Sequence, residues 1–275
     1  MSTRDAWPEL RYESWQETAE LLHMWTQIVG KLRLAQSPWV NHGWQVPLYV
    51  TARGLTTSTI PHGQRVFQID FDFVDQHLIL AASDGKRREL PLEPRTTADF
   101  YSALMANLEE MRLPVEIHGR PNEVPDPVPF AEDRRHTAYD PAAARRFWEA
   151  LVQVDRVFRL FRARFIGKCS PVHFFWGSFD HAVTRFSGRE APPHPGGIPN
   201  LPDTVTQEAY SHEVSSAGFW PGGPASPHPI FYSYAYPTPE GFAEAAVRPS
   251  EAFWLSDLGE FVLPYDAVRT SEDPD

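Results

Sequence analysis

Phe67, Ile69, Phe71 and Phe73 alternate with Gln68, Asp70 and Asp72, the clearest period-two pattern in the chain. Alternation at that period puts the apolar side chains on one face of a strand and the polar ones on the other. A second apolar run at 78–82 follows, and Asp84-Gly85 supplies a two-residue turn signal before a third run at 87–92. The stretch 66–92 therefore predicts an antiparallel meander. Helical spacing dominates elsewhere. Ser14-Trp15-Gln16-Glu17 reads as a capping box, and Trp15, Leu22, Trp25, Val29 and Leu32 form one stripe that runs to about residue 34. Thr97 is a cap for a second helix with Phe100, Leu104, Leu108 and Met111 inward, closed by Pro114. Asp140-Pro141 opens a third helix, to about residue 166, with Phe147, Leu151, Val154, Phe158, Phe161 and Phe165 on one stripe. Val152 and Leu160 lie off that stripe and predict burial on a second side. Between these patterns, residues 44–51 and 115–118 read as short strands, and later ones are expected at 212–219 and 230–236. A short helix is expected near 204–210, and the acidic tail from residue 271 reads as frayed.

The run Gly167-Lys168-Cys169-Ser170-Pro171-Val172-His173-Phe174-Phe175-Trp176-Gly177-Ser178-Phe179-Asp180-His181 combines aromatics, two His, a carboxylate and a thiol. Read as one strand extending to residue 186, it puts Trp176, Ser178 and Asp180 on one face and His173 and His181 on the other. The two histidines would then stand about 26 Å apart, too far to share a metal, while Ser178 and Asp180 would be about 7 Å apart and able to touch one ligand. Gly177 inside a strand marks a bulge or a close approach of a ligand or backbone. The plainer alternative is a sheet buried on both faces with Asp180 hydrogen-bonded for structure alone.

Composition narrows the class. The chain has 275 residues, 42% hydrophobic and 22% charged, an ordinary globular balance. A net charge of -11 disfavours nucleic acid as a partner. One cysteine allows no internal disulfide, which fits a cytoplasmic protein. Charge scattered through the first thirty residues speaks against a signal peptide, and no apolar run is long enough to span a membrane. Pro121, Pro125, Pro127 and Pro129 mark a stiff connector. The expected organisation is an α+β fold with antiparallel sheets in two halves, 1–120 and 140–275, joined by a connector at 121–139, and three main helices packed on sheet faces. A single fused domain is the alternative.

Each candidate chemistry has a structural alternative. Gly167-Lys168 fails as a phosphate loop, because Arg162 and Cys169 stand where a Gly and a Ser or Thr are needed. Cys169 with His173 is a weak thiol–base pair beside the commoner buried, inert cysteine. Ser178 lacks a glycine-flanked nucleophile elbow. Asp70 and Asp72 could pair as in a glycosidase, but a solvent-facing strand side explains them more simply. His42, Asp180 and His212 or Glu213 match no zinc spacing, so no metal is expected. Seven basic residues against two acidic ones between Ala143 and Lys168 could attract an anion, or form a solvated helix face.

Four segments carry a resemblance: 22–31 (LHMWTQIVGK), 47–57 (PLYVTARGLTT), 167–180 with its continuation Arg185-Phe186-Ser187-Gly188, and 208–213 (EAYSHE). Together they resemble a family of uncharacterised bacterial proteins with no assigned activity. The resemblance implies a bacterial cytosolic protein built as one unit, imports no catalytic residues, and demotes His181. The expected function is a soluble small-molecule-binding protein with an aromatic and polar pocket between the halves. Arg53, Lys168, His173, Trp176, Ser178, Arg185 and Tyr210 are the candidate ligand-binding residues. An acid–base enzyme, a hydrolase of a small anionic substrate using Asp180, His212 and Glu213, is the first alternative. A non-enzymatic interaction protein is the second. Neither a cofactor nor an oligomeric state is legible.

Overall fold

The computed structural model describes residues 6–224 and 226–275. Among them lie five α-helices and two six-stranded antiparallel sheets, so the fold is α+β. The first sheet contains β1 (Tyr49–Val50), β2 (Gly54–Thr56), β3 (Ile60–His62), β4 (Arg65–Asp72), β5 (His77–Ala82) and β6 (Arg87–Pro91). Its order is β1-β2-β4-β5-β6, with β3 on β4. The second runs β11-β12-β10-β9-β8-β7, from β7 (His173–Phe175), β8 (Asp180–Glu190), β9 (His212–Trp220), β10 (Ile230–Tyr236), β11 (Phe253–Leu255) and β12 (Glu260–Pro264). Leu48 and Phe174 exchange both backbone hydrogen bonds, at 2.9 Å each, and join the sheets edge to edge. One contiguous cluster of buried apolar side chains runs through both.

The meander forms as its pattern dictates, with β4, β5 and β6 paired in sequence. Its tight turn has three residues rather than two: Ala82 N–H reaches Lys86 O at 2.9 Å, and Gly85 takes φ 86°, the left-handed value that glycine tolerates.

Helix α1 (Gln16–Gln36) shows the expected stripe but is buried on every residue from Met24 to Arg33. It packs against β3 of the first sheet, and its buried polar side chains need partners. Gln27 and Lys31 find Asn122 in the connector, and Arg33 donates to Pro47 O. The expected capping box does not form; Ser14 closes a preceding 3-10 turn onto Arg11 O. Helix α2 (Thr97–Glu110) is capped by Thr96, one residue earlier than expected. Helix α3 (Pro141–Ala163) starts on Asp140 as its sequence dictates. Its aromatic stripe packs on β8, but Leu160 is exposed, so the second buried side does not extend there. Residues 115–118 form no strand. The short helices α4 (Asp203–Ala209) and α5 (Tyr265–Thr270) complete the chain. The tail is held, since Arg156 pairs with the Asp275 carboxylate at 2.7 and 2.5 Å. No described helix is long and apolar enough to cross a membrane.

The largest departure lies in the 167–181 run. It is a hairpin, not one strand. β7 ends at Phe175, residues 176–179 turn, and β8 begins at Asp180. Phe179 makes the reversal at φ 61°, an uncommon conformation for a bulky side chain. Its ring is held between Phe147, stacked at 5.2 Å, and His23 at 5.0 Å. The register sets His173 opposite Ala182 and Phe174 opposite His181. The two histidines are therefore neighbours on opposite faces, not ends of a 26 Å strand.

Phe174 is fully buried where the sheets meet. Phe174→Ala is expected to cost about 3–5 kcal/mol, read from the urea midpoint. Amide protection should fall in β1–β2 as well as β7–β8. Loss confined to the second sheet would contradict a shared core.

Candidate functional site

The floor of the site is one face of the second sheet. In register, Ala182, Gly218 and Tyr232 form one row, and Thr184, Ser216 and Tyr234 the next. Phe175 and Asp180 stand paired at one end of this face. Glu260 shares it, two residues before Val262, the partner of Tyr232. The roof comes from elements distant in sequence: Lys31 of α1, the turn at His42–Trp44, Asn122 and Glu123 of the connector, and Thr206 and Tyr210 at α4. Between floor and roof lies a cavity of about 1110 Å³. A smaller hollow of about 600 Å³ beside Arg11 and His228 gathers no comparable set of groups.

Three glycines make room for the cavity's side chains. A Cβ on Gly218 would collide with the phenol ring of Tyr232, one on Gly30 with the indole of Trp176, and one on Gly177 with the carboxylate of Glu123. Gly30 is the most telling, because glycine inside a helix costs about 1 kcal/mol relative to alanine. Here it lets the indole lie against α1, with Trp176 Nε1 donating to Val46 O at 2.8 Å.

Asp180 sits at the base of the cavity, 7% exposed. Ser178 Oγ donates to its Oδ1 and Tyr232 OH to its Oδ2. Burial holds its carboxyl above the ordinary carboxylate range, and these two donors only partly oppose that. Burial, reinforced by the Asp180 charge, pushes Glu123 up to about 7. The same causes push Glu260 up to about 7. Between roof and floor, Tyr210 and Tyr234 share a hydroxyl–hydroxyl bond of 2.7 Å. Lys31 is the wall's ammonium; burial pushes it down to about 8, and it donates to Asn122 Oδ1 while lying 5.6 Å from the Trp176 ring centre. Asn122 also exchanges bonds with Gln27 at 2.7 and 2.8 Å and donates to Asn200 O at 2.7 Å, which fixes the connector as a wall. Glu208 does the same for α4, accepting from Trp39 Nε1 at 2.6 Å.

Of the residues expected from sequence, Asp180, Trp176, Ser178 and Tyr210 meet at this cavity. The others lie elsewhere. Arg53 is bound to Asp72 and Asp75 in a turn of the first sheet, at 2.7 and 2.6 Å. Lys168 stands behind the wall, its ammonium 4.9 Å from the Phe186 ring centre and donating to His42 Nε2. His173 is buried among Trp44, Tyr49 and Phe175. Neither of its ring nitrogens has a partner among the described residues, and burial pushes it down to about 3. Arg185 faces α3, its guanidinium 3.4 Å from the Phe161 ring centre. His212 touches the edge of His42 at 5.9 Å between ring centres. Glu213 is paired with Arg189 at 2.5 Å and accepts from Ser187 at 2.7 Å, off the cavity. Asp72 is a turn-capping partner of Arg53, and Asp70 accepts from Gln68, so the two do not form a carboxylate pair.

The sequence reasoning missed Lys31, Glu123, Tyr232, Tyr234 and Glu260. The Tyr232-Ser233-Tyr234-Ala235-Tyr236 alternation was a usable signal, because period two puts three phenols on one face. Lys31 within a buried helical run was another. Glu123, in an irregular connector, had none.

This geometry defines an α+β protein with a polar–aromatic cavity floored by its second sheet and roofed by α1, the connector and α4. One family profile, described as a family of unknown function (DUF5996), matches residues 7–275, and the chain belongs to that family. Comparison with curated proteins and with solved structures gave no match.

The Glu123 and Glu260 shifts carry a stability prediction. A carboxyl whose folded value is raised from 4.5 to about 7 binds more protons folded than unfolded across that window. Its contribution is therefore full below pH 4.5 and lost as pH rises through 7. Glu123→Gln and Glu260→Gln should each gain about 1–2 kcal/mol over the parent at pH 8, and little at pH 5. Chemical denaturation at both pH values checks this; a gain independent of pH would contradict it.

Proposed function

We propose that this chain is a small-molecule-binding protein whose ligand occupies the cavity over the second sheet. The observation that carries this is the cavity itself. About 1110 Å³ walled by indole and phenol faces, with a few convergent polar groups, is the usual form of a small-molecule site. The three glycine cradles support the reading, since each makes room for a side chain that lines the cavity. A reducing, cytoplasmic setting fits the free thiol of Cys169.

A second reading has its own support. Carboxyls poised near 7 beside Asp180 are suited to proton transfer at neutral pH. An acid–base enzyme would then use Asp180, Glu123 and Glu260. Glu213 is already bound to Arg189 and Ser187 away from the cavity. Incubation with a metabolite extract separates the readings. Disappearance of a compound that Asp180→Asn no longer consumes marks an enzyme; retention without turnover marks a binding protein.

Ala209 lines the cavity at the end of α4, so Ala209→Trp fills it from a partly exposed position. Thermal-shift screening against a metabolite library should find compounds that raise the parent's Tm by about 5 °C at 100-fold excess over Kd. The variant should keep its unliganded Tm and lose those shifts. Identical profiles for parent and variant would overturn the cavity as the binding site.

A further inference from the structure

The charges of the cavity do not balance. Asp180, Glu123 and Glu260 all line it. Among the described residues none of the three is ion-paired to a Lys, Arg or His. Asp180 is satisfied only by the neutral hydroxyls of Ser178 and Tyr232. The wall's ammonium, Lys31, is turned to Asn122 and the Trp176 ring and not to the carboxyls. Among the described residues no arginine lines the space.

We propose that the ligand is an organic cation, an amine with an apolar body, whose positive group lies among Asp180, Glu123 and Glu260 while its body rests on the aromatic walls. This rests on the small-molecule-binding reading above and names its ligand class.

Four observations carry it. Crowded carboxyls oppose one another's ionisation, and Glu123 and Glu260 are both held near 7 in part by the Asp180 charge; a ligand cation relieves that repulsion. The same wall already accepts an ammonium against an indole, in Lys31 over Trp176. The described carboxyl, His and Cys groups nowhere converge as a metal site, so a bulky cation suits the carboxyls better than a metal ion. Finally, Thr206 in the cavity wall is 2% exposed and its hydroxyl has no partner among the described residues, a polar group the fold alone leaves unsatisfied. An anionic substrate would meet the opposite field.

The test uses probe sets that share a body and differ in charge. Tryptamine, its alcohol and its carboxylic acid counterparts form one set; phenethylamine with its alcohol and acid, and choline with its uncharged carbon isostere, form two more. Binding to the full chain is measured by calorimetry at pH 7.5. At least one amine is expected to bind tenfold or more tighter than its neutral counterpart, and no acid to bind comparably. Glu123→Gln/Glu260→Gln should cut amine affinity at least tenfold and leave the neutral counterpart within twofold, with far-ultraviolet dichroism and Tm showing an intact fold. If alcohols or acids bind as well as amines, and Ala209→Trp abolishes that binding, the cation assignment falls and the cavity reading stands. If no amine binds, the cation assignment falls as well. The cavity reading falls with it only if parent and Ala209→Trp also co-purify with the same small molecules by native mass spectrometry.

Discussion

An ionisable carboxyl buried in the face of a sheet costs several kcal/mol unless donors surround it, and Asp180 is such a group. Its two oxygens accept from Ser178, two residues back, and from Tyr232, two strands away. Each donor imposes geometry. The Ser178 bond is made from within the tight turn at 176–179, where Phe179 takes positive φ. The Tyr232 bond requires a phenol to cross β9, and it crosses over Gly218, where any side chain would block it. Satisfying one carboxyl thus fixes the hairpin, a glycine in the neighbouring strand and the register of three strands.

The roof is tied down by the same kind of accounting. Gln27 and Lys31 are polar groups inside a buried helix and must be hydrogen-bonded there. The connector supplies Asn122, which answers both and passes a further bond to Asn200. A segment with no regular structure becomes a rigid wall because a buried helix needs its polar atoms. Glu123 follows Asn122 directly, so the anchoring that satisfies α1 also delivers a carboxylate to the cavity.

How much of this the sequence disclosed depends on the range of the forces involved. Local ones were legible: the alternation at 67–73, the Asp140-Pro141 start of α3 and the apolar stripe of α2 all appear as expected. The 167–181 run was not, because its aromatic content favours a strand throughout while the turn is stabilised by stacking on Phe147 and His23, remote in sequence. Reading through that turn keeps a single parity. Trp176 and Ser178 then seem to belong to the strand face of Asp180, whereas the neighbours of Asp180 on that face are Phe175, Ala182 and Thr184. Asp180, Ser178 and Trp176 still reach one cavity, for the turn brings them there by another route. Arg53 and Glu213 were named for their charge, yet each is consumed by an ion pair with a partner whose position only the tertiary fold sets.

The same distinction explains what the cavity is made of. Its floor is a regular sheet face, and a face can be read from alternation once the strands are known. Its acids are not so readable. Asp180 comes from a strand start, Glu123 from a connector and Glu260 from the head of a short strand. Nothing local demands a carboxylate at Glu123 or Glu260, and the repulsion between each of them and Asp180 makes the grouping unfavourable for folding alone. A core selected only for stability would have neutralised or separated them. Their convergence on an aromatic-walled space is therefore the feature of this fold that packing does not account for.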